Sequence, residues 1–268
     1  MDKFLNVIKG MIIGVSNIIP GVSGGTMAVV FGIYDKLISS ITNFFKDWKR
    51  NFAFLFQIAL GAGLGIILFS KLLTYLLETY PQQTNFFFIG LILGSVPILF
   101  KKATEKKVQP INLVWLVVTF GLLIWMALSG EAENSSTILT TLNVKSFISL
   151  AVAGFIAAAT MILPGVSGSF VLLLLGLYDT MLAAVSNFNI PLLFAGGIGA
   201  VLGLITMTKV IEAIFNKFPQ TAYMAILGLI LGSVFAIFPG FVFGVSGIVS
   251  VIACIGGFLI AYIVGKNE

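Results

Sequence analysis

Apolar positions run along this chain in long stretches, with none of the period-two alternation that marks a half-buried strand. Between one loop signal and the next they occupy 4–19, 25–44, 52–77, 85–100, 111–129, 146–163, 168–187, 190–215, 221–238 and 242–264. Most approach or exceed the roughly 20 apolar residues that a bilayer-spanning helix needs. The pattern predicts an all-α integral membrane protein. Two interruptions differ from the rest. Pro20-Gly21-Val22-Ser23-Gly24-Gly25 and Pro164-Gly165-Val166-Ser167-Gly168-Ser169 break apolar sequence without the charges that a water-exposed loop brings.

Both breaks belong to an internal repeat. At an offset of 144, which aligns Pro20 with Pro164, 10 of the 25 positions in 20–44 match, among them Gly32/Gly176, Tyr34/Tyr178, Asp35/Asp179 and Asn43/Asn187. Further on the offset is 138, because the first copy holds six extra residues around Lys46–Arg50. There 15 of the 36 positions in 61–96 match, including Lys71/Lys209, Pro81-Gln82/Pro219-Gln220 and the identical heptapeptides Gly90–Val96 and Gly228–Val234. Shared apolar composition does not put Lys, Asp, Pro and Gln in register. The first repeat is 1–130, with a hairpin at 4–44 broken at 20–25, then helices 52–77, 85–100 and 111–129. The second is 131–268, with a hairpin at 146–187 broken at 164–169, then helices 190–215, 221–238 and 242–264.

If each hairpin enters and leaves the membrane on one side, every repeat makes three crossings and the second copy is inverted. With the N-terminus inside, one face then receives Lys3, Lys46, Lys49, Arg50, Lys101, Lys102, Lys106, Lys107, Lys217 and Lys266, and the other only Lys145. Continuous crossings instead of hairpins would divide the same charges seven to four. The positive-inside rule favours ten against one. The expected topology is therefore two inverted repeats with re-entrant hairpins, both termini cytoplasmic and Glu131–Asn134 external. The opening residues, with no small-residue cleavage site in signal-peptide range, are expected to be part of the first helix.

Composition narrows the chemistry. Hydrophobic residues make up 59% of the 268 and charged residues only 9%, with mean hydropathy +1.11, which excludes a water-soluble domain and a disordered one. There is no His, so imidazole acid–base and ligand chemistry is absent, and the single Cys254 makes neither an internal disulfide nor a zinc site alone. No cofactor or metal is expected. The net charge of +5 reads as membrane orientation and not as nucleic-acid binding.

Why break a helix inside a bilayer? Unpaired backbone groups cost several kcal/mol in hydrocarbon, so non-helical backbone is placed where protein buries it or where it lines a polar cavity. Pro20 disfavours helix at Ile19 and Gly21 allows a turn. Ser23 stands at an N-cap position, and Gly24, Gly25 and Thr26 open the next half-helix with N–H groups free of internal partners. Such an end attracts an anion. Ser167, Gly168 and Ser169 repeat the arrangement, with Phe170 in place of Thr26. For one such motif a plain capped turn is the simpler account; two at a repeat interface match where transporters build substrate sites.

Ionisable residues inside apolar segments are the other candidates. Lys71 and Lys209 either snorkel to the headgroups or supply positive charge to a substrate. Glu212 is spaced to pair with Lys209 on one helix face. Asp35 and Asp179 follow a Gly-x-Tyr and read as solvated carboxylates beside an interfacial Tyr. The Gly90/Gly94 and Gly228/Gly232 pairs predict close helix packing. Phe86-Phe87-Phe88 reads as lipid-facing, and Cys254 as core filler.

Pro20–Thr26 followed by Gly32-Ile33-Tyr34-Asp35, and Pro164–Ser169 followed by Gly176-Leu177-Tyr178-Asp179, resemble the bacterial polyprenyl-phosphate (undecaprenyl-phosphate) transporters of the PopT type over nearly the whole chain. The resemblance implies a multi-pass protein of the bacterial cytoplasmic membrane that returns undecaprenyl phosphate, the carrier of cell-wall and surface-glycan synthesis, from the outer to the inner leaflet. Its partners would be that lipid, the surrounding membrane lipids and, if it oligomerises, a second copy of the chain. The phosphate would be held by Ser23, Gly24, Gly25, Thr26, Ser167, Gly168 and Ser169, with Lys71, Lys209, Glu212, Asp35 and Asp179 as candidate charge partners. Two other classes stay open. An ion-coupled transporter of a small soluble anion would use the same geometry. Undecaprenyl-pyrophosphate phosphatases look alike in their repeated P-G-x-S-R-S element, but Gly24 and Gly168 stand here where that Arg would be, and Arg50, the single Arg, is in a charged loop. Phosphoryl chemistry needs positive charge and acid–base groups, so no enzyme activity is expected.

Overall fold

A computed structural model describes residues 2–17, 23–105, 107–128, 139, 141–241 and 243–266. Among them there is no strand, and the helices fall into two series of six: α1 (Asp2–Ser16), α2 (Gly24–Val30), α3 (Tyr34–Thr42), α4 (Trp48–Thr79), α5 (Pro81–Ala103) and α6 (Pro110–Leu128), then α7 (Val144–Ile162), α8 (Gly168–Leu174), α9 (Tyr178–Ser186), α10 (Ile190–Lys217), α11 (Pro219–Ile237) and α12 (Val245–Lys266). Seven of these, α4 to α7 and α10 to α12, are long and apolar enough to cross a membrane. Their outer faces expose side chains such as Ile67, Val117 and Trp125 at 74%, 64% and 64%, an apolar belt suited to lipid. The protein is an all-helical, multi-pass membrane protein.

Proline sets several starts. Pro81 and Pro219 open α5 and α11, where the missing N–H is no loss. Asn143 and Ser146 form a capping box at α7. The expected segments 25–44 and 168–187 are each two helices, not one. Gly32 and Gly176 take φ values of +68° and +67°, a left-handed conformation that ends α2 and α8 and starts α3 and α9 in a new direction. The sequence pattern missed this because apolar residues continue through both corners. Residues 20–22 of the first break, expected at 20–25, lie outside the described residues, and so does Glu131–Asn134. In the second break Leu163, ahead of Pro164, is extended (φ −70°, ψ 127°) as a residue before proline should be.

Small residues decide which helices touch. Gly61 packs on Val7 and Gly65 on Met11, while Gly10 meets Ile58 and Gly14 meets Ala62, so α1 and α4 run parallel. Gly199 on Ala151 and Gly203 on Phe155 make α7 and α10 parallel in the same way. In the centre the repeats exchange helices. Gly90 and Gly94 of α5 lie against Cys254 and Phe258 of α12, while Gly228 and Gly232 of α11 lie against Leu116, Thr119 and Leu123 of α6. The heptapeptides thus serve the close packing expected of them. Phe88 is buried in the core at 6% and the Phe87 backbone lies against Gly257 of α12, so the Phe86–Phe88 run is not uniformly lipid-facing.

The repeated Pro-Gln pairs clamp this centre. Gln82 Nε2 donates to Gly240 O at 2.8 Å, just past the end of α11, and Gln220 Nε2 donates to Ala103 O at 3.1 Å, at the end of α5. The matched helices α5 and α11 therefore run antiparallel, each tied at its start to the other's end.

Candidate functional site

The two motifs meet. Ser23 caps α2 in an extended conformation, its Oγ accepting from Thr26 N at 3.1 Å. The Ser23 and Thr26 hydroxyls lie 3.0 Å apart, and Gly165 N donates to both, at 3.0 Å to Ser23 Oγ and 2.7 Å to Thr26 Oγ1. Gly165 takes φ +82°, and a Cβ there would lie 2.7 Å from Leu229 O of α11. The turn of the second motif is thus held between the hydroxyl pair of the first and the central helices. Gly25 packs on the end of α7, where an added Cβ would lie 3.0 Å from Ile162 O.

The two half-helix starts are in different states. Ser23 and Thr26 are buried, at 3% and 0%, and Gly24 N donates to Asn17 Oδ1 at 3.0 Å. At α8, Ser167 makes no capping bond. Its Oγ lies 2.7 Å from Ser169 Oγ, with Ser167 partly exposed and Ser169 exposed. The accessible hydroxyl pair and the uncapped N–H groups belong to the second motif. Gly24 and Gly168 do not face open space either: a Cβ would meet Asn17 Oδ1 at 3.0 Å and Ala157 O at 2.8 Å. Substituting them would strain packing before it touched any ligand.

Lys71 and Lys209 are exposed on α4 and α10. Each lies six residues past a glycine that fixes its depth, Gly65 on Met11 and Gly203 on Phe155. At 1.5 Å per residue that is about 9 Å, which sets both lysines level with the ends of α1 and α7, beside the breaks. Glu212 does not pair with Lys209; it accepts from Asn43 Nδ2 at 2.6 Å, across the repeats. Asp35, in the first turn of α3, accepts from Tyr223 Oη at 3.4 Å and lies 3.9 Å from Lys102 Nζ. Asp179 occupies the matching position in α9.

Sequence reasoning missed Asn17, Tyr34, Tyr223 and Lys9. Tyr34 Oη donates to Ile162 O at 3.2 Å, joining residues 128 apart. Lys9 is buried at 5% within α1, and its place inside an apolar run was the available signal. Among the described residues no group of His, Cys, Asp and Glu could hold a metal ion.

An apolar belt, seven candidate spans and two broken-helix starts joined in the interior define a membrane protein of the transporter type, with polar backbone kept away from lipid. The chain belongs to the undecaprenyl phosphate translocase-like family, which it matches over residues 13–243. It is 36% identical over 273 residues to the polyprenyl-phosphate transporter of Staphylococcus aureus (strain NCTC 8325 / PS 47), covering 98% of this chain and 96% of that one. It is 34% identical over 254 residues to the polyprenyl-phosphate transporter of Vibrio cholerae serotype O1 (strain ATCC 39315 / El Tor Inaba N16961), covering 89% of this chain and 79% of that one. No solved structure matches it significantly.

Proposed function

We propose that the protein is a flippase for polyprenyl phosphate, returning undecaprenyl phosphate from the outer to the inner leaflet of the bacterial cytoplasmic membrane. The family and the names of both relatives support the substrate class. Parallel α1/α4 and α7/α10 support hairpins that return to the side they entered, and antiparallel α5/α11 supports inversion of the repeats. With the lysine-rich face inside, both termini are cytoplasmic.

One observation carries the site: the two motifs touch, and only the second offers an exposed hydroxyl pair at an uncapped helix start. The phosphate binds at Ser167, Gly168 and Ser169, while Ser23, Gly24, Gly25 and Thr26 hold the opposite wall. Lys71 and Lys209, level with the breaks, supply positive charge, and the polyprenyl tail stays in lipid. Rocking of one repeat against the other exposes this site to each leaflet in turn. Backbone and hydroxyl donors hold a phosphate monoester through charge-assisted bonds, roughly twice as strong as neutral ones. They offer no nucleophile or acid to break its bonds.

Proteoliposomes test the proposal. The purified protein is expected to move undecaprenyl phosphate between leaflets, to bind it more weakly as Ser167→Ala and Ser169→Ala, and to release no phosphate from undecaprenyl pyrophosphate. Wild-type transport of inorganic phosphate with none of the lipid would replace this function with small-anion transport. Phosphate release above a Ser23→Ala/Ser167→Ala background would replace it with an enzyme.

A further inference from the structure

We infer that a polar latch, in which α3 is bound to α10, α11 and α5, closes the path from the paired motifs to the lysine-rich face and must open during transport. This deepens the proposed alternating exposure and rests on it. The latch begins beside the second motif, where Tyr34 Oη donates to Ile162 O at 3.2 Å and the Tyr34 ring lies 6.3 Å from that of Phe215. Phe215 meets Tyr223 edge-on at 5.2 Å, and Tyr223 donates to Asp35 at 3.4 Å. Asp35 is 3.9 Å from Lys102 at the end of α5, and Asn43, which caps the C-terminus of α3, donates to the Glu212 carboxylate at 2.6 Å. The Asp35–Lys102 pair is about half exposed and contributes little alone. The Asn43–Glu212 bond is partly buried and charge-assisted, and is the strongest polar link.

The repeat makes the asymmetry legible. The α3 side of the latch is duplicated, as Tyr178, Asp179 and Asn187. The partners are not. At the offset of 138, Lys102 corresponds to Gly240 (240 − 138 = 102), Glu212 to Thr74, Phe215 to Leu77 and Tyr223 to Asn85. Accordingly Tyr34 is 5% exposed and Tyr178 37%, and α9 packs on α7 and α10 of its own repeat through Leu150, Ala184, Leu192 and Ala195. At the positions matched to Lys102 and Glu212 the sequence carries no charged residue. The lysine-rich face is closed by polar contacts that can be broken singly.

Two measurements test it. In a Cys254→Ala background, Asn43→Cys/Glu212→Cys is bridged with a short bis-thiosulfonate reagent, since side chains that meet tip to tip leave Cβ atoms too far apart for a direct disulfide. Bridged protein is expected to keep undecaprenyl-phosphate binding, to lose transport at least tenfold, and to recover on reduction. Unchanged transport with complete bridging overturns the latch. Unbridged protein that neither binds nor moves the lipid refutes the proposed function instead, and the second measurement then decides the latch alone. It is amide exchange of the wild-type chain in nanodiscs. Helix α3 is expected to exchange at least tenfold more slowly than its nine-residue counterpart α9, and Glu212→Ala to remove that difference. Equal exchange in the wild type, or no change in Glu212→Ala, overturns the latch.

Discussion

The starts of α2 and α8 descend from the same P-G-V-S-G sequence and end in opposite conditions. At α2 the Ser23 and Thr26 hydroxyls are buried and spent on Gly165 N, and Asn17 takes Gly24 N. At α8 the Ser167 and Ser169 hydroxyls bond to each other with Ser169 exposed, and Ser167 makes no capping bond. Asn17 has Met161 as its counterpart and Thr26 has Phe170, so the second copy lacks both side chains that satisfy the first. Duplication supplied two equal anion-attracting turns. Divergence at two positions made one a brace and left the other available. The useful distinction among the motif residues is therefore between those buried in holding the break together and those left exposed.

Substitutions can break that comparison. The largest effect is expected at Gly165. Gly165→Val forces a branched residue to φ +82° and drives its Cβ toward Leu229 O, for a loss of about 2–5 kcal/mol of stability. Thermal unfolding in detergent measures it, and an unchanged midpoint would show that the turn is not gripped as described. Gly168→Val is expected to cost roughly 1–3 kcal/mol through Ala157 O, so its loss of transport should track its loss of folded protein. The brace follows. Ser23→Ala and Thr26→Val each leave Gly165 N one acceptor, at about 1 kcal/mol apiece, whereas the double variant strands a buried donor and should exceed the sum by roughly 1–3 kcal/mol. Additive unfolding energies would mean that the donor finds another partner.

The second motif should behave in the opposite way. Ser167→Ala and Ser169→Ala are each expected to shift stability by less than about 0.5 kcal/mol. Losing a bond to a charged phosphate costs about 1.5–3 kcal/mol, which is roughly 10- to 150-fold in lipid affinity. Titration of the lipid into each variant reads this directly, and a large stability loss with intact affinity would exchange the roles assigned to the two motifs. The smallest effect is Asn17→Ala. Removing this cap of Gly24 N should lower stability by roughly 0.5–1 kcal/mol and leave affinity unchanged. A drop in affinity would draw α2 into the binding surface.

Much of the fold was legible because the membrane imposes it. Long apolar runs have to be helices, since in lipid each backbone group needs a partner within its own segment, and Gly90-x-x-x-Gly94 and its copy had to face other helices to permit close approach. The break at Pro164 was legible for a related reason: an uncharged turn inside apolar sequence needs protein around it. The corners at Gly32 and Gly176 were not, because nothing in an apolar run distinguishes a left-handed glycine from one that serves packing.

By itself, the sequence determined the helical class, the duplicated motifs and the kinds of residue placed at them. Those follow from local chemistry and from matched positions that composition cannot produce. The tertiary structure decided which copy of the motif is buried, that α6 and α12 pack on the opposite repeat, and that Glu212 reaches Asn43 and not Lys209 three residues away. Two identical segments have identical propensities. Only their surroundings, at residues 17 and 26 in one copy and 161 and 170 in the other, separate a hydroxyl that holds the protein together from one that stays exposed.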